Sequence, residues 1–114
     1  HLNLSLPTEA QWEYACKSGE ESPNKANTDL KSIFHSNKWG LNGMQSFIWE
    51  WCLDSAREYT DTHAIDPIGN YNGNYVLKGG NWGRNKFHSR PETRRSELSN
   101  EINSTFGFRI VCNN

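Results

Sequence analysis

The chain has 114 residues, 34% hydrophobic and 22% charged, with a formal net charge of −1, which is enough for one domain and not two. That near-neutral balance argues against generic nucleic-acid binding, where basic domains are the rule. No apolar run approaches the ~18 residues that a membrane-spanning helix needs.

The first residues, HLNLSL, alternate apolar and polar side chains and read as a short strand. They carry neither a basic stretch nor the apolar segment of a secretory signal, and nothing in the sequence assigns a compartment. LPTEAQWEYACKSG follows. Thr8 and Gln11 stand at capping-box spacing, with Pro7 and Trp12 at the staple positions. The sequence predicts a helix from about Thr8 to Ser18, with Trp12, Ala15 and Cys16 on one face and Gly19 beyond its end. Residues 20–38 are polar and turn-rich, with LKSIF offering one short apolar stretch. FIWEWCLD alternates and reads as a half-buried strand. Residues 55–73 read as loop, NYVLKGGNW as a strand entering a glycine turn, and FGFRIVC as a closing strand. Between the last two, residues 83–105 are polar and show no sustained period. The expectation is an irregular α+β fold with one clear helix, three or so short antiparallel strands and long loops, which on a scaffold this small carry function.

The three cysteines, Cys16, Cys52 and Cys112, include no C-x-x-C pair, so a structural zinc site is not indicated. One disulfide plus a thiol and three thiols both remain open. Cys52, beside Trp51, reads as a small buried hydrophobe.

Four landmarks stand in one order: LPTEAQWEYAC, GLNGMQSFIWEWCLD, DPIGNYNGNYVLKGGNW and FGFRIV. In that order the chain resembles the sulfatase-modifying family, whose best-known member is the formylglycine-generating enzyme. The resemblance spans nearly the whole chain. It implies a C-type-lectin-like fold over residues 1–114, a single domain that lacks the N-terminal half usual in the family. A complementing chain or a second copy would then supply what the half-domain leaves uncovered.

The resemblance also bears on chemistry. The family oxidase binds copper(I) through two cysteine thiolates just after the glycine turn, a soft ligand for a soft ion. The matching positions here are Arg84 and Ser89, which implies a domain without that catalysis. The four histidines, His1, His35, His63 and His88, show no paired spacing that would rebuild the iron site of other members. The family further implies a calcium ion held by the Glu50 carboxylate and the carbonyls of Gly43, Ser46 and Ile48, oxygen ligands that suit it. Here, however, Ser46-Phe47 stands where the family has Gly-Asn. In secreted relatives a cysteine at the helix position pairs with one on the last strand, which implies a Cys16–Cys112 bridge. Arg94 and Arg109 match arginines whose expected role is in the scaffold.

Arg84, Asn85, Lys86, Phe87, His88 and Arg90 fall on the segment that forms the open face of this fold. Cations with an aromatic suit an acidic protein surface, a carboxylate or a sulfate, and a solvated polar loop is the plain alternative. The expected function is a non-catalytic binding module that recognises a protein or other macromolecular partner through the 83–105 face. The alternative is an oxidoreductase of the formylglycine-generating type, or a fragment of one, whose missing half supplies the metal site.

Overall fold

The computed structural model describes residues 2–19, 36–45, 48–55, 73–80 and 91–113. Thr8 starts the helix as its sequence predicts. Its backbone is extended, its hydroxyl accepts from the Gln11 N–H at 3.1 Å, and the Gln11 side chain accepts from the Thr8 N–H at 2.9 Å. Two otherwise orphaned donors are satisfied reciprocally. Helix α1 runs Glu9–Cys16, two residues short of the predicted end. The chain turns left-handed at Ser18 and Gly19, with φ of 54° and 75°, and the Gly19 N–H returns to the Tyr14 carbonyl. Among the described residues no helix is long and apolar enough to cross a membrane.

Strand β1, Leu4–Ser5, precedes the helix and pairs antiparallel with β6, Val111–Cys112. The alternating HLNLSL stretch thus forms the strand it was expected to form, closing the first segment onto the last. The second sheet has the order β4-β3-β2-β5. It contains β2 (Trp49–Ser55), β3 (Asn74–Lys78), β4 (Arg94–Leu98) and β5 (Phe106–Gly107). β3 pairs antiparallel with both neighbours, and β5 lies parallel to β2.

The helix lies on one face of this sheet. Trp12 and Cys16 of α1 pack with Met44, Cys52 and Val76, and Ala15 and Leu41 flank them. The opposite face carries Trp49, Trp51 and Leu77. There Phe106 packs edge-on to Trp51 at 5.6 Å, and the Arg95 guanidinium sits 4.9 Å from the Phe106 ring.

Four expectations need correcting. β2 has one covered and one partly open face, but with the polarity reversed: Glu50 and Asp54 are buried under the helix, whereas Trp51 is intermediate and Leu53 exposed. The closing FGFRIVC segment is not one strand; it is cut into β5 and β6, which join different sheets. Residues 94–98 form a strand despite their polarity, because Arg94 and Arg95 find partners in Glu9 and Glu97. The Cys16–Cys112 bridge is not formed, and all three cysteines are thiols. Cys16 is enclosed beneath α1, whereas Cys112 faces outward on β6, so their side chains point to different environments. The LKSIF stretch and Trp82 lie outside the described residues.

Candidate functional site

Polar side chains converge between α1, β2 and the C-terminal segment. Glu50 is buried at the centre. Its Oε1 accepts from the Trp12 indole N–H at 2.8 Å and from Arg109 Nε at 2.6 Å, and its Oε2 accepts from Arg109 Nη2 at 2.8 Å. The Nη2 group also donates to the Asn42 carbonyl at 3.0 Å. This is a two-pronged guanidinium–carboxylate pair, the strongest geometry available to such groups. The hydrogen bonds that Arg109 donates to Glu50 raise its pKa above the ordinary guanidinium range, against the opposing effect of burial. The sequence placed Glu50 at a calcium position; in the structure its carboxylate accepts from Trp12 and Arg109.

A second set of charges seals the helix to the sheet. Asp54 Oδ1 accepts from the Glu9 N–H at 2.8 Å, placing a carboxylate at the start of α1, where the helix dipole favours it. Arg94 lies 3.6 Å from Glu9, in the scaffold role expected of it. Lys78 is fully buried, 3.4 Å from Glu13 and above the Trp12 ring. Burial lowers the Lys78 pKa, and Glu13 and Glu9 pull it back up.

The thiols complete the interior. Burial pushes the Cys16 pKa up to about 12, and pushes that of Cys52 up as well, with Asp54 adding to the rise at Cys52. Burial thus holds both as protonated thiols near neutral pH, which makes them poor nucleophiles.

Of the residues expected to hold calcium, Gly43, Ile48 and Glu50 are described, and Ser46 lies outside the described residues. At Glu50 the site is already occupied by a side-chain partner. Glu50 is the single carboxylate of the set, and a guanidinium occupies both of its oxygens, so a divalent ion would meet a pair already neutralised. Among the described residues no three His, Cys, Asp or Glu side chains converge to hold a metal. The expected ligand-binding residues Arg84, Asn85, Lys86, Phe87, His88 and Arg90, and the copper-position residue Ser89, also lie outside the described residues.

Sequence reasoning missed the Glu50–Arg109–Trp12 node, although each member sits in a short apolar frame (WEW, GFR, QWEY) that signals a buried polar group. It also missed an apolar cavity of about 440 Å³ lined by Leu6, Trp51, Cys52, Leu53, Tyr75, Ser99 and Phe108. No linear pattern joins those positions.

Comparison with known proteins places this geometry in a family. The profile described as the sulfatase-modifying factor enzyme 1-like domain matches residues 2–114. The chain is 32% identical to serine/threonine-protein kinase pkn1 of Chlamydia pneumoniae, over 98% of this chain and 21% of the kinase. It is 33% identical to Pkn1 of Chlamydia trachomatis, over 96% of this chain and 21% of that protein. The chain thus spans about one fifth of the curated relatives it matches. Among solved structures, Treponema denticola variable protein 1 superposes with a TM-score of 0.80 at 24% identity, covering 96% of this chain and 47% of that one. PvdO from Pseudomonas aeruginosa also gives 0.80, at 17% identity, covering 97% and 53%. Both likenesses concern the fold, an α+β architecture consistent with the C-type-lectin-like class. The chain belongs to the family of sulfatase-modifying factor enzyme 1-like domains.

Proposed function

We propose that this chain is a non-catalytic binding module of the family, which recognises a protein or other macromolecular surface through the 83–105 face. The observation that carries the reading is where the cysteines are. The two positions that bind copper in the family oxidase hold Arg84 and Ser89. Cys16 and Cys52 are buried as protonated thiols, and Cys112 stands apart on the exposed face of β6. A copper(I) site needs two thiolates that can meet on one ion, and these three residues do not supply them.

The described polar groups support the same reading, because Glu50, Asp54, Lys78, Arg94 and Arg109 are turned inward on one another and hold the scaffold. The chlamydial relatives are named as serine/threonine-protein kinases. The stretch similar to them here contains neither the His-Arg-Asp nor the Asp-Phe-Gly sequence on which kinase chemistry depends. A recognition module within a longer polypeptide accounts for both facts.

The test is native mass spectrometry of the tagged chain recovered from its host, beside an Arg84→Glu/Lys86→Glu variant. The expected result is a stoichiometric partner on the parent chain and none on the variant, with equal melting temperatures. A partner retained by the variant overturns the assignment of this face, and stoichiometric copper(I) on the parent chain overturns the non-catalytic reading.

A further inference from the structure

The β1–β6 ribbon has two unlike faces. Ser5, Val111 and Asn113 turn inward, where the Asn113 amide donates to the Ser5 hydroxyl at 2.7 Å and Arg109 reaches Glu50. The other face follows from the strand period of two and from the register Leu4↔Cys112. It presents Leu2, Leu4, Phe108, Ile110 and Cys112, all exposed and none charged.

The exposures are large for such side chains: Leu2 73%, Phe108 67%, Ile110 58% and Leu4 51%. Leu6 and Phe108 continue this face into the cavity walled by Trp51, Leu53 and Tyr75, where Leu53 is itself 45% exposed. The five exposed side chains amount to roughly 500 Å² of apolar surface, in the range of the largest and often functional patch on a monomer.

We infer that this face is where two copies of the chain pair, ribbon against ribbon about a two-fold axis. Three observations favour a second copy as the occupant. Two such faces bury at most about 1,000 Å² in total, the lower bound for a specific interface, and an apolar contact of that size gives a weak dimer. Among the described residues the face has no charged side chain to repel its own kind, and the chain carries a net charge of only −1. The projecting residues lie beside the hollow that receives them, so Phe108 or Ile110 of one copy can enter the Leu6–Tyr75 cavity of the other, the self-complementary arrangement that a two-fold contact requires. This inference does not depend on the binding role of the 83–105 face.

The experiment is sedimentation velocity on the full chain across a dilution series from submicromolar to submillimolar. The average mass is expected to rise from 13.1 kDa toward twice that value and stop there. Leu4→Glu/Ile110→Glu, at two already exposed positions, is expected to weaken pairing by at least about 100-fold with an unchanged circular dichroism spectrum.

Cys112 provides a second readout that needs no variant. It is the exposed thiol of the three, and pairing covers it, so its reaction with a thiol reagent is expected to slow at least about tenfold as the dimer forms. A monomer at all concentrations overturns the inference and leaves the face to a different chain. Masses that grow past the dimer, a dimer indifferent to the double variant, or a Cys112 rate independent of concentration each overturn it too.

Discussion

Arg109 clasps Glu50 with both prongs of its guanidinium, at 2.6 and 2.8 Å, across 59 residues of sequence. The pair joins the segment between β5 and β6 to β2, and the Trp12 indole ties α1 to the same carboxylate. Three elements distant in sequence therefore share one polar centre. Removing the guanidinium leaves a buried carboxylate uncompensated, so Arg109→Ala is expected to cost about 3–5 kcal/mol. Glu50→Gln keeps an acceptor for Trp12 and leaves Arg109 partly open to water, so about 1–2 kcal/mol is expected. The double variant Glu50→Gln/Arg109→Ala should lose less than the two together, by about 1–3 kcal/mol. Urea denaturation of the four proteins measures this directly, and additive losses would show that the pair is not coupled.

The same geometry makes a prediction about calcium. Arg109 supplies at Glu50 the positive charge that a divalent ion would bring. The melting temperature of the parent chain is therefore expected to be the same in EDTA as in millimolar calcium. A midpoint that falls on chelation would show that the loop takes up calcium despite the guanidinium.

What could be read from the sequence was local. Thr8 and Gln11 are three residues apart, so the capping box and the start of α1 needed no knowledge of the rest of the fold. HLNLSL could be read as a strand from its alternation, whereas its pairing with the last strand is set by the fold. β4 was hidden because Arg94, Arg95 and Glu97 look like a solvated loop until Glu9, Trp49 and Phe106 come beside them. The division of FGFRIVC between two sheets was equally hidden, since an unbroken apolar alternation does not show where the chain changes partners. The Glu50 node needed contacts over 38 and 59 residues, which no periodicity encodes.

Gly79 shows how closely the glycine turn is packed. Its φ is +106°, and a Cβ there would meet the Ile48 carbonyl oxygen at 2.8 Å and the Met44 carbonyl oxygen at 3.2 Å. Both obstacles are backbone, so neither can swing aside. Gly40 provides the comparison: its φ is +81°, yet a Cβ there would meet nothing within 4 Å. Gly40→Ala is expected to cost about 1 kcal/mol, from backbone strain alone. Gly79→Ala adds the collision and should cost roughly 2–4 kcal/mol. Equal losses in urea would mean that the turn can move away from the 44–48 loop.

The buried thiols predict a loss of stability in alkali. An unfolded thiol titrates near 9.0, whereas Cys16 in the folded chain titrates near 12 and Cys52 is also raised. The folded state thus keeps protons that the unfolded state has released. Stability from these groups is complete below pH 9 and declines as pH rises toward the folded values, at up to about 1.4 kcal/mol per pH unit for each thiol. Lys78 acts in the opposite sense, because burial lowers its pKa and the unfolded chain then holds the extra proton below 10.5. The parent slope is therefore a net quantity, and the contribution of one thiol is the difference between two proteins. Cys52→Ala is expected to lower stability at pH 7 through the space it leaves. Its decline between pH 9 and 10.5 should nevertheless be shallower than the parent's by up to about 1.4 kcal/mol per pH unit. Parallel slopes would show that Cys52 is not held protonated by the fold.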